Sequence, residues 1–104
     1  GEAAEQFQEA ARLAPGDAGP WERLGDAHAG DEKWDRALDA YAEALKRDPS
    51  VVDAHYRRAT ILEHLGRLGE ARAEYELDLS QGGDRESTVR RRVERLLRDE
   101  EPGR

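Results

Sequence analysis

Shifted by 34 residues, the sequence falls onto itself. Ala3, Ala37 and Ala71 coincide, and so do Phe7, Tyr41 and Tyr75. A fixed period of this length is the mark of stacked helical units, each too small to bury its apolar side alone. The best-formed unit runs from Trp21 to Pro49. It holds two apolar stripes at helical spacing, first Trp21, Leu24, Gly25 and His28, then Trp34, Ala37, Leu38, Tyr41, Ala44 and Leu45. Gly25 lacks a side chain, which lets a neighbouring helix approach there. Between the stripes, Gly30 is expected to close one helix and Asp31 to cap the next. Asp48-Pro49 then stops the second helix, because proline cannot continue it.

Composition agrees with stacking. Of the 104 residues 37% are hydrophobic and 39% charged, lean for one compact core but suited to a solenoid that leaves much surface wet. There is no cysteine, so disulfides and thiolate zinc sites are excluded, and thiols assign no compartment. No apolar run approaches the ~18 residues of a membrane span, and no signal peptide is visible. The net charge is −7, which makes nucleic acid a poor general partner. The acid excess sits in residues 1–84, whereas 85–104 are rich in arginine. Arginine outnumbers lysine and alanine is frequent, the usage expected of a GC-rich bacterial genome. Gly1 is not an initiator methionine, and the chain is expected to be a piece of a longer protein.

Taken in order, the pattern predicts six antiparallel helices. Residues 1–17 read as the second helix of a partial preceding repeat, its stripe made by Ala3, Phe7, Ala10 and Ala11 and ended by Pro15-Gly16. Residues 18–51 form a full unit, with Asp17 as the expected N-cap. Residues 52–85 form a divergent unit, opened by a capping box of Ser50 with Asp53. Its stripes are Ala54, Ile61, Leu62 and Leu65, then Leu68, Ala71, Tyr75 and Leu79. Residues 86–98 read as a terminal helix with Val89, Val93, Leu96 and Leu97 on one side, and 99–104 as a fraying tail.

The spacing Trp21-x2-Leu24-Gly25-x2-His28, then Ala37-x3-Tyr41-x2-Ala44 and Pro49, resembles a tetratricopeptide repeat. His28 replaces the usual tyrosine. In the second unit Arg58 stands where Leu24 stood, Asp78 where Ala44 stood and Gly83 where Pro49 stood. The resemblance implies an all-α, right-handed superhelix of helical hairpins, a solenoid with its first helices lining a concave groove that binds a peptide or helix of another protein. On that frame the groove residues are Glu22, Asp26 and Ala29, then Asp53, Tyr56, Thr60 and Glu63 with Arg57 and His64 at the margin, and finally Arg90, Glu94 and Leu97. Such a lining favours a partner segment with basic residues. Some relatives clamp acidic chaperone tails with Lys and Asn. Here Glu22, Asp26 and Asp53 occupy those places and would repel a carboxylate.

The residues offer no catalytic set. His28, His55 and His64 lack zinc-hydrolase spacing, and the first two fall at helix-packing positions. Gly82-Gly83 is a turn and not a phosphate loop. Trp21, Trp34, Tyr41 and Tyr75 sit at core spacing, so no cofactor, metal or enzymatic activity is expected. Arg90, Arg91 and Arg92 spread around their helix, with Arg90–Glu94 and Glu94–Arg98 as candidate pairs. The expected function is a non-enzymatic protein-interaction module. The alternative is self-association into homo-oligomers through Phe7 on the uncovered leading helix.

Overall fold

The computed structural model describes residues 2–51, 53–81 and 85–100. The expected glycine-rich loop at 82–84 and the tail at 101–104 lie outside the described residues. Six helices follow in order: α1 (Glu2–Leu13), α2 (Ala18–Gly30), α3 (Trp34–Arg47), α4 (Ala54–His64), α5 (Leu68–Ser80) and α6 (Glu86–Glu100). Among the described residues there is no strand. Residues 99 and 100 are helical and belong to α6, not to a tail that begins at 99. The 34-residue register makes α2, α4 and α6 the leading helices of hairpins and α1, α3 and α5 the trailing ones. The chain forms two compact units, Gly1–Ala54 and His55–Arg104.

In the first unit α2 packs against both α1 and α3. The contact with α3 is set by Gly25. A Cβ there would lie 2.6 Å from Cε1 of Tyr41, whose ring is buried. Ala4, Leu24 and Ala40 form a core cluster, with Phe7, Trp21 and Ala27 packed on it. The expected stripe of α1 is therefore turned by one residue. Ala4 and Ala11 are buried and Ala3 is exposed. Among the described residues α1 packs chiefly on α2, and its Ala4 also joins Ala40 of α3 in this cluster, which leaves Ala3 turned outward. Ala40, outside the predicted stripe, is buried because α3 also faces this cluster.

The turns correct three cap assignments. Asp31 closes α2 and the residue before α3 is Lys33, so Asp31 does not cap the second helix. The left-handed residue of this turn is Glu32 (φ 59°), and Lys33 N–H donates to the His28 carbonyl at 2.8 Å. The equivalent residue 34 positions on is Gly66 (φ 78°), which takes that conformation without Cβ strain. Asp17 precedes α2 as expected but its side chain makes no cap bond. Ser50 forms no capping box with Asp53. Its N–H and its hydroxyl both donate to Asp48 Oδ1, at 3.0 and 2.7 Å, and hold that carboxyl below its ordinary range.

His28 is half-buried, and neither its Nδ1 nor Trp21 Nε1 has a hydrogen-bond partner among the described residues. Burial, helped by nearby Arg36 and Lys33, lowers its pKa from 6.5. A base with a depressed folded pKa contributes stability that is complete above pH 6.5 and is lost as pH falls through the folded value. His28→Leu is thus expected to flatten the decline of unfolding free energy below pH 6.5, read from urea titrations at several pH values. An unchanged slope would remove His28 from the acid sensitivity.

In the second unit the repeat keeps its shape while exchanging apolar contacts for charged ones. His55, Arg58 and Glu74 occupy the positions of Trp21, Leu24 and Ala40. Glu74 accepts from Arg58 Nε at 2.8 Å, and its other oxygen lies 2.6 Å from His55 Nδ1. All three side chains are mostly buried. Asp78, at the position of Ala44, is 5% exposed and faces Arg85 at 3.4 Å. The departures Arg58 and Asp78 therefore come with their partners. Ala59, Ile61, Leu62, Ala71, Tyr75, Val89 and Leu96 supply the apolar core, whereas Leu65 and Leu97 of the predicted stripes are exposed.

Candidate functional site

The leading helix of each unit carries the predicted docking residues, and each unit treats them differently. On α2, Glu22 and Ala29 are half-buried and Asp26 is exposed. Tyr41 fits over Gly25 and donates its hydroxyl to Asp26 Oδ1. The residue that lets the helices touch is thus followed by the one that holds the tyrosine's polar end, and the carboxylate is fixed in orientation at the rim of α2. Trp21 points about 100° away from Glu22 around the helix. Arg47 covers its ring at 4.6 Å, donates to the Pro15 carbonyl at 2.5 Å and pairs with Glu43 at 2.6 Å. A cleft of about 610 Å³ lies on that other side, lined by Glu5, Gln8, Glu9, Arg12 and Trp21 among others. Asp53, also in the first unit, directly precedes α4 with φ 77°.

In the second unit, α4 presents Tyr56 and Glu63 two turns apart, and α6 closes over both. The Tyr56 ring meets Tyr75 edge-on, with centroids 5.9 Å apart. Arg85 stacks on Tyr56 at 4.3 Å and Arg92 lies 5.7 Å from it. Tyr75 donates to Glu63 at 2.8 Å and accepts from Arg92 Nη1 at 3.0 Å. Arg95 pairs with the other Glu63 oxygen. Burial pushes the Tyr75 hydroxyl up to about 12, with Arg92 opposing and Glu63 reinforcing. Its neutral form is the one favoured on folding, so this contribution is complete below pH 10 and fades toward about 12.

The structure therefore gathers Tyr56 and Glu63 into one network. Thr60 donates its hydroxyl back to the Arg57 carbonyl at 2.9 Å, within its own helix. Arg57 is half-buried on the same helix. Arg90 is exposed and pairs with Glu86 at 2.8 Å, not with Glu94. Sequence reasoning missed Arg85, Arg92 and Arg95 as the residues that engage Tyr56 and Glu63. The available signal was Arg92 and Arg95 three apart on one helix face, opposite a leading helix with an aromatic and a carboxylate.

Among the described residues no group of three or more His, Cys, Asp or Glu could hold a metal ion. No helix of the described residues is long and apolar enough to cross a membrane.

The tetratricopeptide-repeat family matches residues 22–84, more than half of the chain. This chain is a tetratricopeptide-repeat protein. The repeat is generally an interaction fold and not a catalytic one. Among curated relatives, the peroxisomal targeting signal receptor of Saccharomyces cerevisiae is 37% identical over 65 residues, which is 62% of this chain and 11% of the receptor. The chain thus spans about a tenth of that relative's length. The Yersinia enterocolitica type III secretion chaperone SycD, solved with a peptide of the translocator YopD, superposes with a TM-score of 0.88 at 20% identity, over 96% of this chain and 81% of that one. The TPR2B domain of yeast Sti1, in a pHsp70 complex, gives a TM-score of 0.83 at 19% identity, over 93% and 82%. At these identities the structural likeness speaks for the fold. The tetratricopeptide repeat carries protein–protein interaction, and this chain is an interaction module of that kind.

Proposed function

We propose that this repeat protein docks a Lys- or Arg-bearing segment of a partner protein on its acidic leading-helix face, with Glu22 and Asp26 as the principal contacts. The observation that carries this reading is the distribution of charge. The first unit holds thirteen Asp and Glu against six Lys and Arg, whereas the second holds eleven of each. The entire net charge of −7 thus belongs to the unit that displays Glu22 and Asp26. In the second unit the leading-helix carboxylate Glu63 is engaged by Arg95 and Tyr75. Asp53 adds acid in the first unit. Within the second unit taken by itself, Tyr56, Thr60, Arg57 and Arg90 are the candidate contacts for a partner on that unit's own surface. Two structural relatives were solved with partner-derived peptides or complexes, which supports peptide docking as the mode.

The test is isothermal titration with a capped peptide of alternating Lys and Leu. Glu22→Lys combined with Asp26→Asn, which keeps an acceptor for Tyr41, is expected to weaken binding at least tenfold, since reversing a charge puts like charges together. A capped Glu/Leu peptide is expected not to bind. Equal affinity of the variant for the Lys peptide would exclude this face.

A further inference from the structure

On the side of α2 away from Glu22 and Asp26, two clefts meet at Trp21 and Gln8. One is the cleft of about 610 Å³ that Glu5, Glu9 and Arg12 line. The other, of about 260 Å³, has Gln8 of α1 on one wall, Arg36 and Asp39 of α3 on the other, and Trp21, Leu24 and His28 of α2 along its floor. Those three floor residues follow one another over about 10 Å of helix. Leu24 is buried, as is Ala40, which also lines this cleft. Trp21 Nε1 and His28 Nδ1 are closed off from solvent and have no hydrogen-bond partner among the described residues. The trough is complete within α1, α2 and α3. Glu5, Gln8 and Arg12 stand roughly 140–180° around α1 from Ala3, so a helix laid against Ala3 leaves the trough open.

We propose that this trough binds a small carboxylic acid with an apolar tail, its carboxylate at Arg36 and His28 and its tail over Leu24 and Ala40 toward Trp21. Charge along the trough sets that direction. Arg36 stands at the His28 end with Lys33 in the adjoining turn, and both favour the neutral imidazole over the charged one, against Asp31. That is the mark of a local positive potential in a unit whose overall charge is negative. The other acids of the walls are already matched or stand at the rim. Glu43 pairs with Arg47 at 2.6 Å, and Glu9 pairs with Arg12. Asp39 is exposed on α3 one turn from Arg36, and Glu5 is exposed in the larger cleft. Arg36 can only donate, and the amide of Gln8 can donate from the opposite wall. An apolar floor with a few convergent polar groups is the usual make-up of a small-molecule pocket. A rotation of the His28 ring brings Nδ1 to the carboxylate and relieves the cost of a buried polar group without a partner. This site is independent of docking on Glu22 and Asp26, which lie on the other side of α2.

Fluorescence of the full chain tests it. Trp34→Phe leaves Trp21 as the sole tryptophan and so as the reporter. In that background octanoate is expected to change the Trp21 emission saturably, octanamide to bind about tenfold more weakly and octylammonium not to bind. Arg36→Ala is expected to weaken octanoate about tenfold with the circular dichroism spectrum unchanged, because a charge-assisted hydrogen bond is lost. Asp39→Asn is expected to tighten it about threefold by removing a like charge at the rim. Proton NMR of the imidazole gives an independent reading. Among the described residues the charged groups around His28 are Asp31, Lys33, Arg36, Asp39 and Glu43, with uncharged Gln8 facing from α1. A carboxylate added to that set favours the imidazolium, so saturating octanoate should raise the His28 pKa from its depressed value. Octanoate that leaves the Trp21 emission unchanged overturns the proposal. So does octylammonium or octanamide that binds as tightly as octanoate, the result of an apolar patch open to any tail. An Arg36→Ala protein with unaltered affinity, or a His28 pKa that stays in place at saturation, overturns it too.

Discussion

Glu74→Ala is expected to lower the unfolding free energy by about 2–3 kcal/mol, less than the full loss on breaking a deeply buried pair because these groups keep some solvent. The substitution strips His55 and Arg58 of the carboxylate that both use, at 2.6 and 2.8 Å, in a place where their side chains are only 15% and 21% exposed. Most of the penalty comes from leaving the guanidinium desolvated without a counter-charge. The same positions in the first unit show how the site can be apolar. The triple substitution His55→Trp, Arg58→Leu and Glu74→Ala installs the residues found at Trp21, Leu24 and Ala40, and it is expected to recover most of the loss. Replacing a buried ionic group by apolar residues that pack is often neutral or better. Urea midpoints at constant m-value give the comparison. If Glu74→Ala unfolds at the wild-type midpoint, or the triple variant is no better than the single one, the charged triad is not what holds α4 to α5.

Gly25→Leu is expected to cost about 3 kcal/mol, the upper end for overpacking. A Cβ at Gly25 would already lie 2.6, 2.7 and 2.8 Å from three atoms of the Tyr41 ring. That ring is 2% exposed and its hydroxyl is bound to Asp26, so it has nowhere to turn. The helices must part, and the apolar contact of α2 with α3 is lost along its length. Ala59 occupies the same position over Tyr75, which indicates that one methyl is accepted where the hairpin is spaced for it. Ala59→Gly should therefore cost only about 1 kcal/mol, from backbone freedom and a small void. Thermal melts separate the two, because each kcal/mol moves the midpoint of a domain this size by roughly 4–8 °C. A Gly25→Leu protein that melts with the wild type would show that this close approach does not govern the hairpin.

The hairpins were legible because their period is written in residues that must be small or aromatic: Ala37, Ala71, Gly25, Tyr41 and Tyr75 are all buried where the 34-residue register put them. Ala3 shares that register yet is exposed, since periodicity names the side of a helix and not whether a neighbour covers it. Arg58 and Asp78 read as flaws in the second repeat because their partners Glu74 and Arg85 stand 16 and 7 residues away, beyond any single-helix pattern. The proposed docking face is visible in the sequence only as charge on one side of α2. That Tyr41 would hold Asp26, and that Arg85 and Arg92 would cover Tyr56, depends on contacts between elements. The turn at Glu32 escaped notice for a related reason. A glycine at position 30 draws the eye, but the left-handed residue is two positions later, where the second repeat has Gly66.

The reading of α2 as the docking face is tested most directly by mapping where a basic peptide binds. The ¹H–¹⁵N amide spectrum of the full chain would be followed while the capped Lys/Leu peptide is added, at low salt and again at higher salt. The expected shifts fall on amides from Glu22 to Ala29 and shrink with added salt, because contacts between exposed charges are screened within about 10 Å at 0.1 M. Shifts confined to α3 or α5, or a spectrum that the peptide leaves unchanged at low salt, would contradict the assignment of Glu22 and Asp26.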